Sequence, residues 1–401
     1  MSLIPVDDAL ARLLEGVEPT AAETVPLAEA AGRTLAADLA ATRTQPPFSA
    51  SAMDGYAVRA SDVAHAPCSL KIIGEAPAGH GFSGKVQAGE AVRIFTGAPV
   101  PEGADTIVIQ ENTERSGDTV IVSKGANEGT YVRPAGLDFA QGDVLLKAGS
   151  VIDYRALALA AAMNHGTVSV RRRPRVAVLA TGDELVEPGE VPGPDQIVAS
   201  NQYGISAMAE ACGGEARRLG ISRDDETELA NHVRAALAWE ADVLVTLGGA
   251  SVGDHDLVQA ALGNEGMELA FWRIAMRPGK PLMAGRLGRT KVVGLPGNPV
   301  SSLVCGHLFL RPLMAALLGR IGGDAAPEQA RLASPLPAND RRQDYLRATL
   351  RRDADGVLIA SPFKLQDSSV LSRLALADGL VIRPPFAPAL EAGAPVSVVR
   401  L

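Results

Sequence analysis

Three polar, glycine-bearing stretches, each directly after an apolar run, carry residue types suited to chemistry on an anion. Thr181, Gly182, Asp183 and Glu184 follow "VAVLA"; Gly248, Gly249, Ser251, Gly253 and Asp256 follow "VLVTL"; Pro296, Asn298, Pro299 and Ser301 follow "KVV". Glycine at such places lets backbone N–H groups approach a bulky anionic ligand closely. In the third stretch Asn298 is a preferred N-cap and Pro299 suits the first helical position, so the amides near Val300 and Ser301 should point outward at the positive end of a helix, where an oxyanion can dock. An ordinary well-capped helix has the same sequence.

The acids form a second constellation: Asp183 with Glu184, Asp224 with Asp225, and Asp254 with Asp256. Carboxylates gathered at a phosphate site hold magnesium, which prefers oxygen ligands and retains waters. Asp224 and Asp225 have a competing role as the N-cap and first-turn acids of a helix. "RPGKP" places Arg277 and Lys280 in a tight turn between two predicted strands; a solvated turn charge is the plain alternative to anion binding. His255 has no second His or Cys nearby, which makes a metal-ligand reading weak. "GGASVG" lacks the nucleophile-elbow pattern, so Ser251 is better suited to donating a hydrogen bond to phosphate than to attacking a carbonyl. G-x-x-x-x-G-K-[ST] does not occur, which disfavours an ordinary P-loop site. Farther toward the N-terminus, Asp54 in "PPFSASAMDGYAV", Thr96 in "RIFTGAPVPEGADTIV" and Asp138 in "YVRPAGLDFAQGD" are groups able to bind metal or ligand oxygen in turn-rich surroundings.

These residues need elements to position them. From 171 to about 320, strand and helix patterns alternate, which predicts a mainly parallel sheet with helices on both faces. In such a sheet ligands bind beyond the carboxyl ends of the strands, so the three glycine stretches should share one rim. The opening segment predicts two short helices, one around Leu10, Leu13 and Leu14 and one across Leu27 to Leu35. Short β-branched runs between 45 and 145 predict a compact β domain, and "VIDYRALALAAAMNHG" a helix stopped by Gly166. After a Pro/Ala-rich linker the tail returns to short strands. The chain therefore reads as a multidomain α/β plus β protein: an elongated, discontinuous N-terminal domain (1–45 plus 137–170), an inserted β domain (46–136), an α/β domain (171–322) and a small C-terminal β domain (323–401).

A length of 401 residues exceeds what one core usually organises. A net charge of −8 argues against a surface built for nucleic acid. Cys68, Cys212 and Cys305 are far apart and lack metal spacing, so they read as buried thiols of a reducing compartment. The N-terminus has acids and a proline where a signal peptide needs basic and apolar regions. "PVSSLVCGHLFLRPLMAALLG" contains Arg311 and Pro312, and reads as a buried helix instead of a membrane span. A cytoplasmic protein with no membrane contact is the expectation.

Taken in order, "PPFSASAMDGYAV", "RIFTGAPVPEGAD", "VRPAGLDFAQGD", "TGDEL", "SNQYGISAM", "GISRDD", "TLGGASVGDHD", "MRPGKP" and "GLPGNPVSS" resemble the molybdopterin molybdenumtransferases, the MoeA family, to which the E domain of gephyrin also belongs. The resemblance covers nearly the whole chain. It implies an elongated homodimer of four-domain subunits that inserts molybdenum from molybdate into adenylylated molybdopterin and releases AMP, with Mg2+. By the matching motifs, Asp183, Glu184, Ser251 and Asp256 would surround the pterin phosphate, adenylate and metal, and Asp54, Thr96 and Asp138 would complete the site from the partner subunit. The metal would fall to Asp54, Glu184, Asp225 and Asp256. Lys280, Arg273 and Ser301 would suit molybdate, a tetrahedral dianion. A molybdopterin adenylyltransferase and molybdoenzyme apoproteins are the implied protein partners. The departure at Arg277, where many members carry lysine, leaves that residue's role open. Ala250, where valine is more usual, should affect packing only. The α/β segment alone also resembles the stand-alone molybdopterin adenylyltransferases and the competence-damage-type nucleotide hydrolases. A third alternative is a non-catalytic dimeric scaffold.

Overall fold

Arg175–Thr181 is almost wholly apolar and becomes a strand buried on both faces. In the computed structural model, which describes residues 3–249, 257–322 and 326–401, it lies within a six-stranded sheet. The order is Glu215–Ser222, Arg175–Thr181, Val243–Leu247, Thr290–Leu295, Met283–Leu287, Glu268–Trp272. The first four strands are parallel, and Met283–Leu287 pairs antiparallel with the strand on either side of it. Register places Ala180 opposite Leu247 and Leu247 opposite Leu295. The segments after Thr181, Leu247 and Leu295 therefore leave the sheet along one rim.

Side chains alternate between the two faces, as the pleat requires. Val176, Val178, Val243, Val245 and Val293 pack with Ile205, Val300, Val304 and Phe309 of the helices on one side. Ala177, Leu179, Leu244 and Val292 pack with Leu229, Val233, Val258 and Leu262 on the other. Each of the larger aliphatic side chains contributes about 1.5–3 kcal/mol when fully buried, so the rim stands on a rigid base.

The apolar stretch from Pro299 folds as a rod in three parts: Pro299–Cys305 (α), Gly306–Leu310 (π) and Arg311–Leu317 (α). Pro312 cannot donate a backbone hydrogen bond, and the helix widens in the turn before it. The rod is long and apolar enough to cross a membrane, but 67% of its most apolar window is buried against the protein, as the sequence leads one to expect of a core helix.

The N-terminal part corrects two expectations. Val6–Leu14 is helical, but the second helix is reduced to a 3-10 turn, Leu27–Glu29. The preceding Ala22–Pro26 is a strand paired antiparallel with Thr167–Arg171. Pro26 just before the turn and left-handed Gly32 after it leave no room for a longer helix. The helix Tyr154–Ala162 is capped by Asp153, whose carboxylate accepts from the amides of Arg155 and Ala156. It stops before Gly166, because Asn164 already takes a left-handed φ of 71°. Between these pieces runs a separate six-stranded sheet: Thr106–Ile109, Gly55–Val58, Glu90–Ile94, Cys68–Ala76, Thr119–Val122, Thr113–Ser116.

The C-terminal strands close on themselves: Gln343–Arg352, Leu358–Pro362, Glu328–Leu332, Pro395–Arg400 and Gly379–Arg383 pair in sequence, and the last returns to the first. A two-residue strand from the central region, Met276–Arg277, adds to this sheet parallel to Gln343 and Asp344. Of the cysteines, Cys305 alone is buried; Cys68 and Cys212 are partly exposed.

Candidate active site at the carboxyl rim

The rim encloses a cavity of about 850 Å3. All three glycine stretches reach it, with Thr181, Gly182 and Glu184 from the first, Gly248 and Gly249 from the second, and Pro296, Gly297, Asn298 and Pro299 from the third. The glycines are there for space as well as for ligand access. A Cβ on Gly248, whose φ is +97°, would sit 2.7 Å from the Thr181 carbonyl oxygen. Thr181 itself is nearly buried, its hydroxyl donating to the Leu247 carbonyl at 3.3 Å, so the first two loops are held together at their roots.

Asn201 begins the helix Asn201–Ala211 and donates from Nδ2 to the Gly297 carbonyl at 2.7 Å, linking that helix to the third loop. Gln202, 1% exposed, also lines the cavity. Its amide nitrogen donates to both carboxylate oxygens of Glu187 at 3.0 and 3.1 Å.

Two expectations change at the third loop. Asn298 occupies the N-cap position but makes no side-chain capping bond. The Val300 amide does not face an open anion site, since it donates to the Ser368 carbonyl at 3.1 Å. Ser301 is 4% exposed and lies behind the cavity lining.

The acidic pair at 224–225 divides its roles. Asp225 caps the helix Glu226–Ala238, accepting from the Glu228 amide at 2.8 Å, so the residue suggested for the metal is engaged in capping. Its neighbour Asp224 lines the cavity with Glu184. Partial burial, then the nearby charges of Asp183 and Glu184, push the Asp224 carboxyl above its usual range. Crowded carboxylates of this kind favour a bound cation. Asp183 stands just outside the lining, its carboxylate 3.3 Å from the Asp224 amide. Among the described residues no three His, Cys, Asp or Glu side chains come together as a ready-made metal cluster.

Arg273 and Lys280 also lie outside the lining, although Pro281 belongs to it. Arg273 has a left-handed φ of 79°, and its guanidinium stacks over the Trp272 ring at 4.4 Å. The Lys280 carbonyl accepts from the Ile274 amide at 3.1 Å. Ser251, Gly253, Asp254, His255 and Asp256 lie outside the described residues.

Asp54 and Thr96 come together in the inserted sheet. Asp54 accepts from the Thr96 amide at 2.7 Å and hydroxyl at 2.8 Å, and these two bonds, the amide first, hold its carboxyl below the usual range. Arg93 braces the pair, donating to the Gly55 carbonyl and stacking on Tyr56 and Phe95. Asp138 sits on a loop whose amide donates to the Gln45 carbonyl at 3.0 Å. Within one chain none of these three lines the rim cavity.

Three sequence regions match known family patterns. Residues 4–164 match the MoeA N-terminal region (domain I and II), 177–316 a "probable molybdopterin binding domain", and 329–401 the MoeA C-terminal region (domain IV). The molybdopterin molybdenumtransferase of Nostoc sp. (strain PCC 7120 / SAG 25.82 / UTEX 2576) is 36% identical over 388 residues, covering 94% of this chain and 88% of that protein. The chain belongs to the MoeA family. The enzyme of the same name from Haemophilus influenzae is 34% identical over 399 residues, covering 99% of this chain and 98% of its own. Among solved structures, a molybdopterin biosynthesis MoeA protein from Pyrococcus horikoshii superposes with a TM-score of 0.86 at 33% identity, covering 100% of this chain and 99% of that one.

In this MoeA-family chain, sequence reasoning missed polar contributors to the cavity from two other segments. Ser369 reaches it from the C-terminal barrel, and nothing in "LQDSSV" points to a rim about seventy residues earlier in the chain. Asn201 and Gln202 had a signal, the polar opening of "SNQYG" after an extended stretch, which marks a helix start facing the same rim.

Proposed function

We propose that this chain inserts molybdenum from molybdate into adenylylated molybdopterin and releases AMP, a late step of molybdenum cofactor biosynthesis. The observation that carries the reading is the rim cavity itself. It is large enough for a nucleotide-sized ligand and is entered by three glycine loops, with Glu184 and Asp224 in its lining. Curated relatives matched over 88% and 98% of their own length are named molybdopterin molybdenumtransferase.

Cleaving a phosphoanhydride requires charge stabilisation where negative charge accumulates, not a strong protein nucleophile, and the glycine loops and acids suit that task. The backbone amide of Gly249 would orient the phosphates, those of Gly182 and Gly248 donating instead to the Ser222 and Leu295 carbonyls, each at 3.1 Å. Glu184 and Asp224, with Asp256, would hold Mg2+, which supplies Lewis-acid stabilisation of the leaving phosphate. Asn201 keeps the third loop against the helix start, closing one side of the cavity. Lys280 and Arg273 would draw molybdate toward the Pro281 side. Asp54, Thr96 and Asp138 would arrive from a second copy in a homodimer, because in one chain they stand away from the cavity.

The test is AMP release by purified protein given adenylylated molybdopterin, molybdate and Mg2+. Molybdate-dependent release in the native protein, and its loss in Glu184→Gln, is the expected result. Robust adenylate synthesis from ATP and molybdopterin, without molybdate-dependent AMP release, would instead place the chain one step earlier.

A further inference from the structure

The "RPGKP" turn is shared between two sheets. Met276 and Arg277 pair with Gln343 and Asp344 of the C-terminal barrel, and six residues later Met283 is in the central sheet. The turn between them carries Lys280 and the cavity residue Pro281. Its underside is closely fitted: a Cβ on Gly279 would lie 2.3 Å from the sulfur of buried Cys305 and 3.3 Å from Met276 Cε. Its outer side is held by Arg277. That guanidinium pairs with Asp344 and also reaches Asp340 at 3.7 Å and Asn339 Oδ1 at 3.5 Å. Asp344 is only 3% exposed, and its Oδ1 has no hydrogen-bond partner among the described residues.

A buried carboxylate with one oxygen unpartnered depends heavily on the cation bonded to the other. The barrel has its own stake in the rim. Ser369 lines the cavity, and the Ser368 carbonyl accepts the Val300 amide. Buried Arg347 braces that segment through Gln366 Oε1 and the Val370 carbonyl.

We propose that Arg277 and Asp344 are a positioning pair: they lock the C-terminal barrel to the "RPGKP" turn and so set Lys280 and Pro281 opposite Ser369. Arg277 then acts through the turn and does not touch substrate, which gives a physical reason for a planar fork at this position. A lysine ammonium cannot span Asp344, Asp340 and Asn339 together. The pair is separable from folding, because Tyr345 and Leu380 of the barrel also pack into the main core. The functional part of this proposal rests on the reading that Lys280 helps bind molybdate.

The experiment compares Arg277→Met, Arg277→Lys and the double variant Arg277→Met/Asp344→Leu, which removes both members of the pair, with Lys280→Ala as calibrant. The direct readout is hydrogen exchange at the Arg273 and Ile274 amides, which bond the Leu282 and Lys280 carbonyls across the turn. Exchange there should accelerate about tenfold or more in Arg277→Met and the double variant, and less in Arg277→Lys, with the central-strand amide of Val245 unchanged. The KM for molybdate should rise roughly 5- to 20-fold with kcat changed less than about twofold, the mark of lost binding geometry and not of lost chemistry. Unchanged exchange at both turn amides in all three variants overturns the positioning role whatever the substrate. Accelerated exchange with an unchanged molybdate KM in both Arg277→Met and Lys280→Ala upholds the pair and overturns the molybdate role of the turn.

Discussion

Gly248→Ala asks whether the second loop is glycine because of backbone geometry. A non-glycine residue in the left-handed region costs about 1–2 kcal/mol, and the Gly248 φ of +97° lies there. The new Cβ would also sit 2.7 Å from the Thr181 carbonyl oxygen and 3.1 Å from its hydroxyl. Both belong to a buried strand end that cannot move freely, so overpacking adds about 1–3 kcal/mol. The sum, about 2–5 kcal/mol, corresponds to a fall of roughly 4–20 °C in the melting of a unit of this size. Gly263→Ala is the internal control. Gly263 ends no turn, lies in the helix Leu257–Asn264, and has nothing within 4 Å of its Cβ position. Alanine there should stabilise by about 0.5–1 kcal/mol. Scanning calorimetry of both variants, with AMP release on the same samples, makes the comparison. Gly248→Ala should lose stability and activity together, and Gly263→Ala should gain the one and keep the other. Melting of Gly248→Ala within about 1 °C of the native protein would refute the close-approach argument.

Asp224→Asn should stabilise the magnesium-free protein near neutral pH. The folded-state pKa of Asp224 is raised, so between the unfolded and folded values the native state binds more protons and stability falls as pH rises. The asparagine variant escapes that loss above the window and gains nothing below it; melting curves across pH check the sign. The same variant should show a smaller rise in melting temperature on adding Mg2+ than the native protein. Asp54→Asn and Thr96→Val should each lower AMP release by about 10- to 100-fold with little change in melting, since Asp54 is only half-buried and both its bonds go to exposed Thr96. Asn201→Ala removes one hydrogen bond to Gly297. It should raise the KM for adenylylated molybdopterin severalfold for a loss of about 1 kcal/mol, measured by initial rates.

Much of the rim was legible because its signals are local. Parallel strands buried on both faces are written as short apolar runs, and "VAVLA", "VLVTL" and "KVVGL" fall in Arg175–Thr181, Val243–Leu247 and Thr290–Leu295. The loop after each run then had to emerge at one edge, and Thr181, Gly248 and Pro296 meet in one cavity. What escaped was set by contacts between distant segments. Asp224 and Asp225 are equivalent as helix-start acids, and only the twist of the chain after Ser222 turns one toward the cavity and the other onto the Glu228 amide. The extra strand at Met276–Arg277 is two residues long, too short for any periodicity to show. The helix expected across Leu27 to Leu35 is cut short by Pro26 and Gly32, and its far end is bridged instead, Thr34 to Val151 and Leu35 to Val170, a tertiary preference that overrides local propensity.

The start of the Pro299 helix illustrates how such contacts alter chemistry and not only shape. Capping rules leave its first amides open for an anion, but the Ser368 carbonyl already takes the Val300 N–H. The barrel segment that removes this donor brings Ser369 to the cavity, but that hydroxyl donates to Asp367 Oδ1 at 2.6 Å. A tetrahedral dianion at this end of the rim would therefore meet the Lys280 ammonium more than a helix dipole or a free hydroxyl. Its affinity should fall steeply with ionic strength if the ammonium dominates, since exposed charge attraction is screened within about 8–10 Å at physiological salt. Molybdate KM values that stay flat from low to moderate salt in the native protein would put the hydroxyl and backbone contacts first, and would leave Lys280 a turn residue.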